Sequence, residues 1–137
     1  MAKGIKLSLF KTDKVKETEG VWYDFGEGCK LKIARVTRPE FREYTTSNLK
    51  SLMKIIRRGR LSKEETDKIE QVTLEGYAKY ILIDWKGLLN DDGEEIPYTY
   101  ENALEALSID DFNKEVSSFA EDGDNYRNDY IEESVKN

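Results

Sequence analysis

The sequence predicts an α+β protein in which a small N-terminal antiparallel β-hairpin or sheet is followed by a bundle of four or five helices. Apolar residues alternate with polar ones in short runs of the first 36 residues, as in half-buried strands. From Pro39 onward they recur every three or four residues, as on one face of a helix. The 137 residues are the size of one ordinary domain. We therefore expect a single domain over residues 1–137, strand-rich over 4–36 and helical over 38–137.

Three short runs carry the strand signal. Their alternating apolar positions are Ile5, Leu7 and Leu9, then Val21, Tyr23 and Phe25, then Cys29, Leu31 and Ile33. Gly26-Glu27-Gly28 separates the last two runs, and glycines adopt positive φ without steric cost, so a hairpin is expected there. Residues 11–20 are charged and weakly apolar, which predicts a flexible connection.

Two amphipathic helices are predicted next. Pro39 suits a first helical turn, and the apolar stripe that follows it ends at Ile56, beside the basic cluster Arg57-Arg58-Gly59-Arg60. Ser62 and Glu65 have the spacing of a capping box and start the second helix, whose apolar positions run through Ile83 into Trp85. We expect the two helices to pack as an antiparallel hairpin and Trp85 to close the core at its end.

Turn and capping signals divide the rest of the chain. Asp91-Asp92-Gly93 predicts a tight turn within residues 85–97. Thr99 and Ser108 are placed to cap two short helices, and Gly123 ends the second of them. Asp124 is predicted to start a final helical turn or two.

The composition lacks the residues of common catalytic and metal sites. There is no histidine and one cysteine, Cys29, which removes Ser-His and Cys-His triads, His-containing zinc sites and four-cysteine sites. The acidic turn at residues 90–95 fails the calcium-loop register, because Gly93 in sixth position would place Leu88 in the first. We expect no enzyme activity and no catalytic, cofactor-binding or metal-binding residues.

Charge is distributed unevenly along the chain. Residues 1–60 carry 15 Lys and Arg against 7 Asp and Glu, whereas residues 61–137 carry 7 against 21. Most of these charges are expected to be solvated, yet such a dipolar chain also favours weak, salt-sensitive self-association. The single cysteine and the lack of any long apolar stretch predict a cytoplasmic protein that does not enter a membrane.

Several short motifs run through residues 83–126. In order they are Ile83-Asp84-Trp85-Lys86-Gly87-Leu88, Asp92-Gly93, Ile96-Pro97-Tyr98-Thr99, Glu101-Asn102-Ala103, Phe112 and Tyr126-Arg127. This series, which covers about a third of the chain, resembles the C-terminal pattern of tailed-phage tail assembly chaperones. The resemblance implies a non-enzymatic protein of the infected host cytoplasm that binds the tape measure protein and helps to recruit the major tail protein.

Aromatic residues near helix ends are the candidate partner contacts. We choose Tyr98, Tyr126 and Tyr130, because rings there can face outward and tyrosine is a preferred interface anchor.

Two other functions remain open. One is a structural or tail-completion protein that stays in the virion. The other is a small nucleic-acid-binding regulator that would use the basic positions Lys50, Lys54, Arg57, Arg58 and Arg60. The acidic second half argues against nucleic acid as a partner.

Overall fold

The structure is a computed structural model that describes residues 2–128. It confirms the α+β class, with a three-stranded antiparallel sheet and helices that follow and surround it. The elements in chain order are α1 (Lys14–Glu19), β1 (Val21–Gly26), β2 (Cys29–Ile33), α2 (Pro39–Leu49), α3 (Met53–Arg58), α4 (Lys63–Gly76), β3 (Leu82–Lys86), α5 (Tyr100–Leu107) and α6 (Asp110–Glu121). No helix within this part of the chain is both long and apolar enough to cross a membrane.

The predicted hairpin is confirmed. β1 and β2 pair antiparallel, and Glu27 and Gly28 form the turn between them with φ of 54° and 83°. β2 is the central strand and pairs with β3 on its other side, so that Leu31 lies opposite both Tyr23 and Trp85. The alternation of β2 works as predicted, since Leu31 and Ile33 are fully buried.

The third strand corrects the prediction for residues 62–85. The helix α4 ends at Gly76, a π-helical turn covers Tyr77–Ile81, and Leu82–Lys86 is a strand rather than the end of a helix. The run of apolar residues fits either period, and the unpaired edge of β2 decides between them by offering backbone partners. Part of the sheet therefore comes from the stretch over 38–137 that was predicted to be helical.

The first predicted strand is also wrong. Residues 5–10 lie on the surface, and Leu7–Phe10 is a 3₁₀ turn. An isolated run without a neighbouring strand edge has no ladder partners, so alternation alone does not make it a strand.

Residues 11–20, predicted to be flexible, contain α1. Asp13 caps this helix by accepting hydrogen bonds from the Val15 and Lys16 amides at 2.9 and 3.4 Å. Glu17 on α1 is the buried charged residue of this region, and its carboxylate accepts from the Thr37 hydroxyl at 3.0 Å.

In the helical part the predicted capping box is confirmed, and two other predictions are wrong. Ser62 and Glu65 form the predicted capping box, with reciprocal bonds of 3.1 and 2.8 Å. The predicted first helix is interrupted by a 3₁₀ turn at Lys50–Leu52, so it is observed as α2 and α3. Ser108 does not cap α6; the N-cap residue is Ile109, which provides no side-chain acceptor.

The core lies between the sheet, the π-helical turn Tyr77–Ile81 that follows α4, and the helices α5 and α6. Its members are Leu31, Ile33, Tyr77, Ala78, Ile81, Leu82, Trp85, Ala103, Leu107, Val116 and Ala120. α2 covers α4 closely at one point, where a Cβ on Gly76 would lie 2.9 Å from Cε1 of Phe41. The 3₁₀ turn Gly123–Tyr126, in place of the predicted helical turns from Asp124, buries Tyr126 beside β2.

Candidate partner-binding cleft

Trp85 fixes the chain that follows β3. Its side chain is buried, and its indole N–H donates to the carbonyl of Ile96 at 2.7 Å. The ring of Tyr98 meets the indole edge-on at 5.0 Å, and the Tyr98 hydroxyl donates to the Leu82 carbonyl at 2.5 Å. The chain after β3 is thus folded back over the strand and anchored to it at two points.

The loop between these anchors is held by its own hydrogen bonds. The Asn90 side chain accepts from the amides of Asp92 and Glu94 at 3.0 and 2.9 Å, which forms the turn predicted from Asp91-Asp92-Gly93. The Ile96 amide donates to the Leu88 carbonyl at 2.8 Å. These hydrogen bonds within the loop hold its backbone, so the loop presents its side chains in fixed positions.

The corner between α5 and α6 forms the opposite wall. Thr99 caps α5 by accepting from the Asn102 amide at 3.0 Å, as predicted, and the Asn102 side chain donates to the Pro97 carbonyl at 2.9 Å. The Asn113 side chain donates to the Leu107 carbonyl at 3.0 Å and fixes the start of α6 against the end of α5.

An apolar cleft opens between the loop and this corner. Its lining residues are Trp85, Leu88, Leu89, Ile96, Asn102, Glu105, Ala106, Ile109 and Phe112. The cleft has a volume of about 240 Å³, which is below the roughly 300–1,000 Å³ of typical small-molecule pockets. At its rim Leu89 and Ile109 are 55% and 61% exposed. A few apolar side chains of another macromolecule would fit it better than a cofactor.

The surroundings of the cleft are strongly acidic. Residues 85–113, which span the lining of the cleft, contain eight Asp and Glu and one basic residue, Lys86, whose ammonium lies over the ring of Trp22. Burial and the negative charge of Asp84 raise the pKa of the Tyr98 phenol, so its hydroxyl stays a donor at neutral pH. The cleft therefore favours an apolar ligand that carries positive charge on its flanks.

The structure separates the three tyrosines that were chosen as partner contacts. Tyr98 is half-buried behind the cleft, where it supports Trp85. Tyr126 is fully buried, and its hydroxyl donates to the Ile33 carbonyl at 3.1 Å, so its ring does not face outward. Burial also raises the pKa of the Tyr126 phenol far above its ordinary range. Tyr130 lies outside the described residues.

The exposed members of the cleft, Leu89 and Ile109, were not chosen from the sequence. A signal was present at Ile109, because an apolar residue stands between Ser108 and Asp110 where a polar N-cap is usual. Leu89 directly precedes the predicted turn, where an apolar side chain has no core position to fill. Apolar residues at surface positions where polar ones are usual can mark a binding site, and here two such positions are neighbours.

Two larger recesses are weaker candidates for a binding site. One of about 580 Å³ lies between α4 and the start of α6, and polar groups such as those of Asp67, Glu70 and Asn113 make up about half of its lining. The other, of about 460 Å³, surrounds the paired Glu17 and Arg35. Among residues 2–128, no group of three or more His, Cys, Asp and Glu side chains is arranged to hold a metal ion.

The chain is thus a small α+β protein with an apolar cleft between the loop after β3 and the α5–α6 corner. The chain belongs to the YdaY prophage protein family, whose pattern matches residues 38–137. It is therefore a phage-related protein. No significant match is found among curated proteins or among solved structures.

Proposed function

We propose that this protein is a non-enzymatic tail assembly chaperone that binds the tape measure protein and helps to recruit the major tail protein in the host cytoplasm. The observation that carries the proposal is the composition of the cleft. Five of its lining residues belong to the motifs that resemble tail assembly chaperones: Trp85, Leu88, Ile96, Asn102 and Phe112. Membership of a prophage family is consistent with that role.

The cleft has properties that such a role needs. A tape measure protein is a very long helical chain, and its apolar stripes must be covered until the tail tube encloses them. A helix that lays residues i, i+3 and i+4 into an apolar groove is a common mode of recognition. A shallow cleft of about 240 Å³ gives weak individual contacts, and many copies along one long partner would bind it tightly yet reversibly.

The sharpest test is the substitution Ile109→Asp. Ile109 is the uncapped N-cap residue of α6 with φ −83° and ψ 116°, the geometry in which Asp is a preferred cap. The substitution should preserve or slightly raise stability while it places a charge at the apolar rim. Co-expression with the tape measure protein of the same prophage, followed by pull-down, should show binding by the wild type and at least a tenfold loss in Ile109→Asp.

Leu61→Asp is the matched control. Leu61 is an exposed leucine outside the cleft, so this variant should bind like the wild type. Equal binding by wild type and Ile109→Asp would remove the cleft from the interaction, and no binding by the wild type would overturn the chaperone proposal. Detection of the chain in purified virions by mass spectrometry would favour a structural or tail-completion protein instead.

One observation favours the nucleic-acid-binding regulator as a second candidate. The five basic residues around α3, namely Lys50, Lys54, Arg57, Arg58 and Arg60, are all exposed. Within the described residues none of them forms an ion pair. If the chain retards duplex DNA at physiological salt and fails to bind the tape measure protein, the regulator replaces the chaperone.

A further inference from the structure

A second apolar surface lies at residues 5–15, far from the cleft in sequence. Five large apolar side chains of this apolar segment are exposed: Ile5, Leu7, Leu9, Phe10 and Val15. Leu7, the most accessible, is 83% exposed. Single exposed apolar residues are ordinary, but five within eleven consecutive residues can provide an interaction surface.

The apolar segment does not cover the cleft of its own molecule. It is tied to the C-terminal side of α6, since the Arg127 side chain donates to the Phe10 carbonyl and the Asp13 amide donates to the Tyr126 carbonyl. The cleft lies at the opposite end of α6, beside Ile109 and Phe112. The 12 residues of α6 separate the two ends by about 18 Å, and no residue of the apolar segment lines the cleft.

The two surfaces are complementary in charge as well as in polarity. Residues 3–15 carry Lys3, Lys6, Lys11 and Lys14 and one acidic residue, Asp13, whose carboxylate accepts from the amides that start α1. The stretch that forms the cleft, residues 85–113, carries eight acidic residues and one basic residue, Lys86. An apolar segment flanked by lysines is the kind of ligand that an apolar cleft with an acidic rim selects.

We infer that a second copy of this chain is the occupant of the cleft, and that its apolar segment docks there head to tail. Each copy then offers one segment and one cleft, so the contact is heterologous and repeats along a chain of copies or closes into a ring. The cleft is thereby shielded until a tape measure helix displaces the segment. This regulatory consequence rests on the proposed function, whereas the docking itself does not.

Sedimentation velocity with complementary variants tests the docking. The wild type should associate at 0.1 M salt with increasing protein concentration. Leu7→Asp places a charge in the apolar segment and Ile109→Asp places one at the rim of the cleft, so each variant alone should be monomeric. An equimolar mixture should recover a one-to-one complex, because one variant supplies an intact cleft and the other an intact segment. Raising the salt to 1 M should weaken all association, since the Debye length falls from about 10 Å to about 3 Å.

Disulfide trapping identifies the contact. In a Cys29→Ser background, a Leu7→Cys chain mixed with a Leu89→Cys chain should form a mixed disulfide under mild oxidation. A Leu61→Cys chain in place of Leu89→Cys should not. A monomeric wild type at low salt, a mixture that stays monomeric, or equal trapping at Leu61 would each overturn the inference, as would association that is indifferent to salt.

The two proposals fail in distinguishable ways. Leu7→Asp keeps its cleft, so it should bind the tape measure protein at least as tightly as the wild type because the competing segment is lost. Self-association without tape measure binding would leave the docking intact and remove the chaperone role. If the wild type binds the tape measure protein and Ile109→Asp does not, but the wild type shows no self-association, the chaperone role stands and the docking is ruled out.

Discussion

Leu89 and Leu7 are both exposed leucines outside the α-helices and the three-stranded sheet, yet their surroundings differ. Leu89 stands on a loop whose backbone and side chains are bonded to one another and to Trp85. Leu7 stands on a 3₁₀ turn without a buried residue. A surface residue whose loop is held by hydrogen bonds belongs to a preformed binding site, so little ordering is needed when a ligand binds. An exposed apolar turn outside the core is suited to be the ligand.

Trp85→Ala should have the largest effect, because it removes the anchor of the rigid region. The buried ring and its hydrogen bond to Ile96 would be lost, with a cost of about 3–5 kcal/mol in the free energy of unfolding. Urea unfolding followed by circular dichroism measures it. Trp22→Ala is the control, because Trp22 is partly exposed on the other face of the sheet, and it should cost far less. A near-normal unfolding curve for Trp85→Ala would make Trp85 a surface anchor.

Gly87→Ala should also destabilise the rigid region strongly. Gly87 has φ of 71°, and a Cβ there would lie 2.3 Å from the carbonyl oxygen of Gly28 in the hairpin turn. Gly93→Ala is the matched control, since Gly93 has φ of 81° and nothing within 4 Å of the added atom. The control should cost about 1–2 kcal/mol from backbone strain alone, and Gly87→Ala clearly more. Equal costs would show that the hairpin turn yields easily, and that the loop is less rigid than its hydrogen bonds indicate.

Glu17→Gln probes how the apolar segment is attached to the core. Burial by itself raises the pKa of Glu17, but hydrogen bonds from Thr12, Thr37 and Lys14 outweigh it and hold the pKa below its usual value. A lowered pKa stabilises the fold above the unfolded value near 4.5, and that stability is lost as pH falls through the folded pKa. At pH 7 the substitution should cost about 1.5–3 kcal/mol, the scale of hydrogen bonds to a charged group.

Unfolding experiments at several pH values separate this effect from general acid denaturation. The difference in stability between the wild type and Glu17→Gln should be constant near neutrality and shrink below pH 4.5. A difference that does not change with pH would show that the charge of Glu17 is not what anchors α1.

Leu7→Asp should have the smallest effect on the fold. Its side chain is 83% exposed, so the free energy of unfolding should change by less than about 0.5 kcal/mol. The same denaturation assay measures it, at a protein concentration where the wild type is monomeric. A large loss of stability would mean that the apolar segment packs within its own molecule, and the contrast with Leu89 would disappear.

Local chemistry in the sequence correctly predicted several elements. Each of them depends on side chains only a few residues apart. They are the Gly26-Glu27-Gly28 turn, the capping box of Ser62 and Glu65, the Thr99 cap and the turn at Asp91-Asp92-Gly93. Their energies are set within a few residues, so they can be read without knowing the fold. That residues 82–86 form a strand of the sheet could not be predicted in this way, because their partner strand β2 lies about fifty residues earlier.

For the candidate site, too, the sequence predicted some features correctly and could not predict those that depend on the fold. The motifs of residues 83–126 pointed to the region of the cleft, and Trp85 was correctly expected to be buried. Tyr126 was expected near the surface because it follows a helix end, but the fold brings it against β2. Leu89 and Ile109 lie twenty residues apart and become one surface when the loop and the α5–α6 corner meet.

By itself the sequence determined the α+β class, the hairpin, the starts of α2, α4 and α5 and the opposite charges of the two halves of the chain. Periodicity, capping and charge are properties of neighbouring residues. Only the tertiary structure decided that residues 82–86 are a strand, that residues 5–10 are not, and which apolar side chains remain exposed. Strand pairing and burial depend on contacts between distant parts of the chain, and these form only when the whole core assembles.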